Sequence, residues 1–223
     1  MEHLQFEEMG YLLKKPQDGT GPYPTLLLLH GAGSRGRDLN ALESNPFFST
    51  SSRASRMDSP FLLFAPQCYK NSWFDMFEML QRFVQMIAAH PLVDSSRLYL
   101  IGASMGGYAA WQLAMTMPEY FAALVPLCGG GMYWNAWRLR ATPIWAFHGK
   151  EDQTVFPEES EKMVAAVQRA GGNARLTMLE HTGHDCWTHA YASEELFAWL
   201  LQQKKGIAAP ADSALYNDSK KFG

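Results

Sequence analysis

The residues best suited to chemistry form a short pattern, Gly102-Ala103-Ser104-Met105-Gly106. It directly follows the apolar run Arg97 to Ile101, which predicts a buried strand, and it precedes a segment that predicts a helix. A turn this tight holds its serine in a strained backbone conformation, and glycines at the flanking positions avoid collisions. The hydroxyl then projects above the edge of the sheet, so Ser104 is the candidate nucleophile.

A serine hydroxyl attacks poorly unless a base removes its proton. We expect that base on a loop after the last strand, and His184 fits because it follows the predicted strand Ala174 to Leu179. Gly183 gives His184 the freedom to turn inward. His181 is the competing candidate, although it lies closer to the end of the strand. Either histidine could instead be an ordinary surface residue.

An acid must fix the tautomer of the base and stabilise its charged form. Asp152 follows the predicted strand Pro143 to Phe147 and is the preferred candidate, whereas its neighbour Glu151 is expected to be solvated. Asp185 should point away from the ring of His184. The order serine, aspartate, histidine along the chain differs from the orders of the trypsin and subtilisin groups.

Hydrolysis of an acyl group also needs two N–H donors for the developing oxyanion. One donor is expected from Met105, the residue after the nucleophile, because it lies at the start of a helix. The second is expected from the turn that follows the predicted strand Thr25 to Leu29, and there we choose the N–H of Ala32. An ordinary glycine turn is the alternative interpretation of that segment.

Short apolar runs alternate with helical patterns along the chain, which predicts a mainly parallel sheet with helices on both faces. The predicted strands are Thr25–Leu29, Phe61–Ala65, Arg97–Ile101, Ala122–Leu127, Pro143–Phe147 and Ala174–Leu179, with Tyr11–Lys14 as an early antiparallel edge strand. The predicted helices are Met76–Ala89, Gly106–Met117, Pro157–Ala170 and one capped by Ser193. Residues 33–59 predict a long loop with one helical turn. We expect a single domain over residues 1–203 and a polar tail over residues 204–223.

Composition narrows the class of protein. The 223 residues are 47% apolar and 18% charged, with a formal net charge of -3. These values are typical of a globular chain and do not favour binding to nucleic acid or anionic membranes. The longest clear apolar run, Leu26 to Leu29, is too short to span a bilayer, and the first ten residues lack an apolar signal core. Three cysteines do not suggest a disulfide framework, so a cytoplasmic location is expected. Composition does not fix the oligomeric state.

Four motifs together resemble a known superfamily. They are His30-Gly31-Ala32-Gly33, Gly102 to Tyr108, His148-Gly149-Lys150-Glu151-Asp152 and Gly183-His184-Asp185-Cys186-Trp187. The chain is similar, from about Tyr11 to about Leu200, to the compact α/β-hydrolases that include carboxylesterases, phospholipase-like esterases and predicted peptidases. The resemblance implies the α/β-hydrolase fold and an acyl-enzyme mechanism. Dienelactone hydrolases share the scaffold but use a cysteine nucleophile, and Ser104 argues against that group.

Two departures from the superfamily pattern matter. The region before His30 is short, so the first strands of a full sheet are expected to be missing. The fourteen residues from Gly129 to Thr142 are too few for a cap domain, so we expect an open site without a large cap. Four tryptophans are candidates for contacting substrate. They are Trp73, Trp134, Trp137 and Trp187.

The sequence therefore predicts a serine hydrolase that cleaves small to medium carboxylic esters, with a small-molecule ester as its partner. A serine peptidase on the same scaffold and a non-catalytic binding protein with this fold are the alternatives. No cofactor is expected, because no phosphate-binding loop is present. No metal is expected either, because the pairs His181/His184 and His184/His189 lack a helical metal-site pattern and no cysteine pair has ligand spacing.

Overall fold

The computed structural model describes residues 1–17, 19–48 and 59–206, and their centre is one sheet of eight strands. The strands are β1 Glu2–Phe6, β2 Met9–Lys14, β3 Tyr23–Leu29, β4 Leu62–Pro66, β5 Val93–Ala103, β6 Ala123–Leu127, β7 Ile144–Gly149 and β8 Ala174–Leu179. Their spatial order is β1-β2-β4-β3-β5-β6-β7-β8. β2 pairs antiparallel with β1 and β4, and the remaining neighbours are parallel. This is the α/β-hydrolase fold that the sequence predicts.

Helices cover both faces of the sheet. They are α1 Leu39–Glu43, α2 Phe77–Ala89, α3 Met105–Thr116, α4 Glu158–Arg169, α5 Trp187–Ala192 and α6 Glu194–Gln202. The apolar residues of α2, α3 and α4 pack in one buried cluster, and those of α1, α5 and α6 pack in a second. Ser193 caps α6 by accepting a hydrogen bond from the N–H of Leu196, as predicted.

The continuous apolar runs are explained by this two-sided burial. In β3, Leu27 and Leu29 belong to the cluster on one face, whereas Leu26 and Leu28 belong to the cluster on the other. Side chains alternate between faces along a strand, so a strand covered by helices on both sides must be apolar at every position.

The N-terminal region departs from expectation. The first fourteen residues form β1 and β2, so the first strands of the sheet are present, and the prediction that they are missing is wrong. Residues 11–14 also do not form an edge strand, because β1 lies outside them. The sequence pattern that would predict β1 is weak because β1 is an edge strand with mostly exposed side chains. Its sequence is therefore polar and contains no apolar run.

The connections are short on the side where the strands end. The segment after β6 contains a 3-10 helix, Tyr133–Leu139, and no cap. The predicted loop over residues 33–59 contains α1 and two 3-10 turns, and its residues 49–58 lie outside the described part. Most of the predicted tail, residues 207–223, also lies outside it. In the described residues, no helix is long and apolar enough to cross a membrane.

Two glycines of the serine pattern are required by close backbone packing. A Cβ atom on Gly102 would lie 2.1 Å from the carbonyl oxygen of Gly106, and a Cβ on Gly106 would lie 2.1 Å from the carbonyl oxygen of Leu29. The start of α3 is therefore pressed against the ends of both β5 and β3. No side chain can be accommodated at either position without moving backbone.

We expect Gly106→Ala to lower the free energy of unfolding by about 3 kcal/mol or more, because the new methyl group overlaps backbone atoms that cannot move independently. Denaturant unfolding followed by circular dichroism measures the change. Gly33→Ala is the matched control, since a Cβ at Gly33 meets nothing within 4 Å. Equal stability of the two variants would contradict the packing described here.

Candidate active site

Ser104 occupies the bend between β5 and α3 in a backbone conformation that non-glycine residues rarely adopt. Its φ is 55° and its ψ is -118°. The bend is held on both sides, since the N–H of Ser104 donates to the carbonyl of Leu127 at 2.9 Å and its carbonyl accepts from the N–H of Tyr108 at 3.0 Å. The strain predicted from the sequence is present at this residue.

The three candidate side chains form one continuous chain of hydrogen bonds. The Nε2 atom of His184 lies 2.8 Å from the Oγ atom of Ser104, and its Nδ1 atom lies 2.7 Å from the Oδ2 atom of Asp152. Ser104 follows β5, Asp152 follows β7 and His184 follows β8. Because these strands are parallel, their ends meet at one edge of the sheet, which brings together residues far apart in sequence.

Asp152 is a buried carboxylate, with only 3% of its surface exposed. Its Oδ1 atom accepts hydrogen bonds from the N–H groups of Thr154 and Val155, at 2.9 and 3.0 Å. Burial raises the pKa of Asp152, but the hydrogen bonds from His184 and from the two N–H groups outweigh this effect and hold the pKa below its ordinary value. The residue is therefore a fixed negative charge next to the imidazole.

The imidazole of His184 is partly exposed, and Cys128 and Trp187 lie beside it in addition to Ser104 and Asp152. The Cys128 thiol raises the pKa of His184, partial burial lowers it and the hydrogen bond with Asp152 raises it again, with the net effect upward. The ring of Trp187 packs against it edge to face, with centroids 5.2 Å apart. Trp187 thus contacts the candidate base.

The competing candidates lie elsewhere. The side chain of His181 is 92% exposed, and its Nδ1 atom lies 3.3 Å from the Oε1 atom of Glu151, which is also exposed. Asp185 accepts hydrogen bonds from Thr188 and so points away from the site, as expected. The geometry favours Asp152 and His184 over the alternatives that the sequence left open.

The turn that follows β3 lies against Ser104. A Cβ atom on Gly31 would be 3.4 Å from the Cβ of Ser104, so the backbone near Ala32 passes directly over the candidate nucleophile. Met105 is the first residue of α3, where an N–H group has no partner within the helix. Both candidate oxyanion donors are thus on segments that border Ser104.

His30 holds the turn after β3 in place through buried hydrogen bonds. Burial lowers its pKa to about 4, so the imidazole is neutral at physiological pH, and its Nε2 accepts a hydrogen bond from the N–H of Cys68. The Nε1–H group of Trp73 donates to the carbonyl of His30 at 3.0 Å. Trp73 is fully buried, so the prediction that it contacts substrate is wrong: it packs in the core and supports the turn.

The remaining tryptophans separate into two groups. Trp134 is 68% exposed and packs edge to face on Tyr133 in the connection after β6. Trp137 instead lines a cavity of about 980 Å³ together with Ser95, Ser96 and Thr142. Those residues lie at the amino ends of β5 and β7, on the edge opposite Ser104. Trp137 therefore does not border the candidate site, and its prediction as a substrate contact is wrong.

Sequence reasoning missed two residues of the site, His148 and Cys128. The Nε2–H group of His148 donates to the carbonyl of Val155 at 2.9 Å and lies 3.3 Å from the Oδ2 atom of Asp152. Its position at the end of β7, four residues before Asp152, was a usable signal. Cys128 lies beside His184, and nothing in its local sequence indicates this.

Comparisons with known proteins identify the family and the fold. The family model of the prolyl oligopeptidase family matches residues 68–141 and 131–206, together more than half of the chain. No curated protein matches the sequence. A solved thermostable esterase is 28% identical, with a TM-score of 0.76, over 92% of this chain and 62% of its own; this chain thus spans under two thirds of that protein.

Two more distant structures share the fold. Est1E from Butyrivibrio proteoclasticus is 13% identical, with a TM-score of 0.65, over 90% of this chain and 98% of its own. An acylaminoacyl peptidase from Pyrococcus horikoshii is 13% identical, with a TM-score of 0.65, over 93% of this chain and 42% of its own. The family match, the eight-stranded sheet and the strained serine lead to one conclusion: the chain belongs to the prolyl oligopeptidase family, within the α/β-hydrolase superfamily.

Proposed function

We propose that this protein is a serine hydrolase that cleaves small to medium carboxylic esters through an acyl-enzyme intermediate. The observation that carries the proposal is the unbroken chain of hydrogen bonds from Ser104 through His184 to Asp152. A hydroxyl at hydrogen-bonding distance from an imidazole, itself held by a buried carboxylate, is the arrangement that activates serine.

In the proposed reaction, the Oγ atom of Ser104 attacks the ester carbonyl while the Nε2 atom of His184 takes the hydroxyl proton. Asp152 stabilises the imidazolium that forms. The N–H groups of Ala32 and Met105 stabilise the negative charge on the carbonyl oxygen. His184 then gives its proton to the departing alcohol, and water releases the acid from Ser104 by the same steps in reverse order.

The surroundings of Ser104 support a small substrate. The connection after β6 forms only a short 3-10 helix, so no cap encloses the site within the described residues. Tyr133 and Trp134 are exposed there, and we propose Trp134 and Trp187 as contacts for the apolar part of the ester. We further propose that residues 1–203 form one hydrolase unit; Lys205, just after it, still donates hydrogen bonds to the carbonyls of Ser96 and Glu119.

A serine peptidase is the second candidate, and the family match favours it. The acylaminoacyl peptidase from Pyrococcus horikoshii is much longer than this chain, which covers 42% of it. The described residues form no cap over Ser104 that would select a peptide. For this reason we favour esters.

Replacing the nucleophile tests the mechanism. We expect Ser104→Ala to reduce kcat for a short p-nitrophenyl ester by about 10⁴-fold or more, with an unchanged circular dichroism spectrum. A fluorophosphonate probe should label the unaltered protein and not this variant. Ser95→Ala is the matched control, since Ser95 lies exposed near the opposite edge of the sheet. Absence of labelling in the unaltered protein would favour a non-catalytic binding protein.

A paired substrate panel separates the two candidate activities. We expect p-nitrophenyl acetate and butyrate to be cleaved with higher kcat/KM than aminoacyl and dipeptidyl p-nitroanilides, because cleavage of an amide depends more on positioning, and the described residues form no cap to position a peptide. Initial rates at matched enzyme concentration measure this. Faster cleavage of the anilides would show that the protein is a peptidase instead.

The rate should depend on the protonation of His184. The neighbouring Cys128 thiol and the hydrogen bond with Asp152 raise its pKa above the ordinary 6.5, and only the neutral ring can accept the proton of Ser104. We therefore expect kcat/KM to fall as the pH falls through this raised pKa, with the midpoint of the rising limb above pH 6.5. A pH–rate profile of ester hydrolysis measures it.

The matched controls for this profile use the adjacent acids. Glu151→Gln removes only the carboxylate beside exposed His181 and should leave the profile unchanged, whereas Asp152→Asn should lower kcat by about 10⁴-fold. A midpoint at or below pH 6.5, or a large effect of Glu151→Gln, would contradict the roles given to these residues.

A further inference from the structure

A third ligand-type side chain lies beside the acid and the base, and the hydrolytic reaction does not use it. Cys128 follows β6, is fully buried, and has a positive φ of 40°. Its N–H group donates to the carbonyl of Phe147 at 2.9 Å, which fixes its backbone to the end of β7. One donor atom each from Cys128, Asp152 and His184 lies within 4.8 Å of the other two.

These three donor types are the ones that bind zinc in proteins. Bonds of about 2.0–2.3 Å in a tetrahedral site place two ligand atoms about 3.3–3.8 Å apart. The observed spacing is therefore within about an ångström of what one ion needs. The side chain of His184 is 23% exposed, so the group of three ligands is not fully enclosed.

We propose that Cys128, Asp152 and His184 form an inhibitory binding site for a thiophilic divalent cation such as Zn²⁺. On binding, one bond forms to the sulfur of Cys128, whose proton is released to solvent. A second forms to the carboxylate of Asp152, and a third to the Nδ1 atom of His184. The neutral ring loses its proton from Nδ1 and gains one on Nε2, so its charge does not change. The net release is therefore the one proton from the thiol of Cys128 for each ion bound.

An ion bound in this way would prevent hydrolysis. With a proton on Nε2 and the ion on Nδ1, the ring cannot accept the proton of Ser104, and Asp152 no longer stabilises an imidazolium. The site differs from a catalytic zinc site, since the ion would stop the reaction instead of supporting it. The inhibition rests on the proposed hydrolase function, but the binding does not.

Zinc titration of p-nitrophenyl acetate hydrolysis, after treatment with EDTA and under reducing conditions, tests the inhibition. Each variant is compared with its own zinc-free rate. We expect Zn²⁺ to inhibit the unaltered protein and Cys128→Ser to raise the half-inhibitory zinc concentration about tenfold or more. Cys128→Ala serves the same purpose if the serine variant does not fold.

Cys186→Ser is the matched control, because Cys186 is a second buried thiol, its Sγ atom lies 3.5 Å from the same carbonyl of Phe147, and it is outside the three-ligand group. It should keep full sensitivity to zinc. Equal inhibition of the Cys128 variants and the unaltered protein would overturn the proposal, and so would a loss of sensitivity in Cys186→Ser as large as in Cys128→Ser.

Cobalt binding gives a readout that is independent of activity. Co²⁺ bound to a thiolate has a charge-transfer absorption band in the near ultraviolet, so the band should appear in the inactive Ser104→Ala protein and disappear when Cys128→Ser is added. A Ser104→Ala protein that shows no band overturns the ion site. If the unaltered protein hydrolyses no ester, the proposed function fails, yet the cobalt band still decides the ion site.

Discussion

The bend at Ser104 is the constraint on which the rest of the site depends. A non-glycine residue with φ of 55° and ψ of -118° costs about 1–3 kcal/mol, so it persists only where the surrounding structure enforces it. Here the enforcement comes from backbone packed against backbone, with no room for a Cβ at Gly102 or Gly106. The same packing sets the position of α3 relative to β3, and thereby the distance between Ser104 and the turn that carries Ala32. The candidate nucleophile and the candidate oxyanion donors are thus placed by one steric condition.

The other half of the site is held by charge and hydrogen bonds. Asp152 is buried, and its two oxygens face two backbone N–H groups, the ring of His184 and the ring of His148. A buried carboxylate is stable only when its hydrogen-bonding capacity is met, so the loop after β7 has little freedom to move. This rigidity is transmitted to His184, because its ring is fixed by the carboxylate on one side and by Trp187 on another.

The sequence predicts the features that depend on local patterns. Buried strands such as β3 and β6 are found within two residues, because two-sided burial requires apolar runs. The strand-to-helix context of Ser104 is likewise local. By contrast, β1 is polar because one edge of it faces solvent, and no short-range pattern distinguishes it from a loop. The short helix α5 was also not predicted, since six residues give too little periodicity.

The local sequence does not determine which way a tryptophan side chain points or which distant residue a cysteine contacts. Trp73 and Trp137 both occur in connections, yet one enters the core beneath His30 and the other lies at the opposite edge of the sheet. Cys128 is 24 and 56 residues from Asp152 and His184, and no ligand-spacing motif covers such intervals. In a parallel sheet, however, every strand ends at the same edge, so three ligands from three successive loops can meet without any regular spacing. The absence of a metal-binding motif in the sequence of this fold therefore does not exclude a metal site at the ends of its strands.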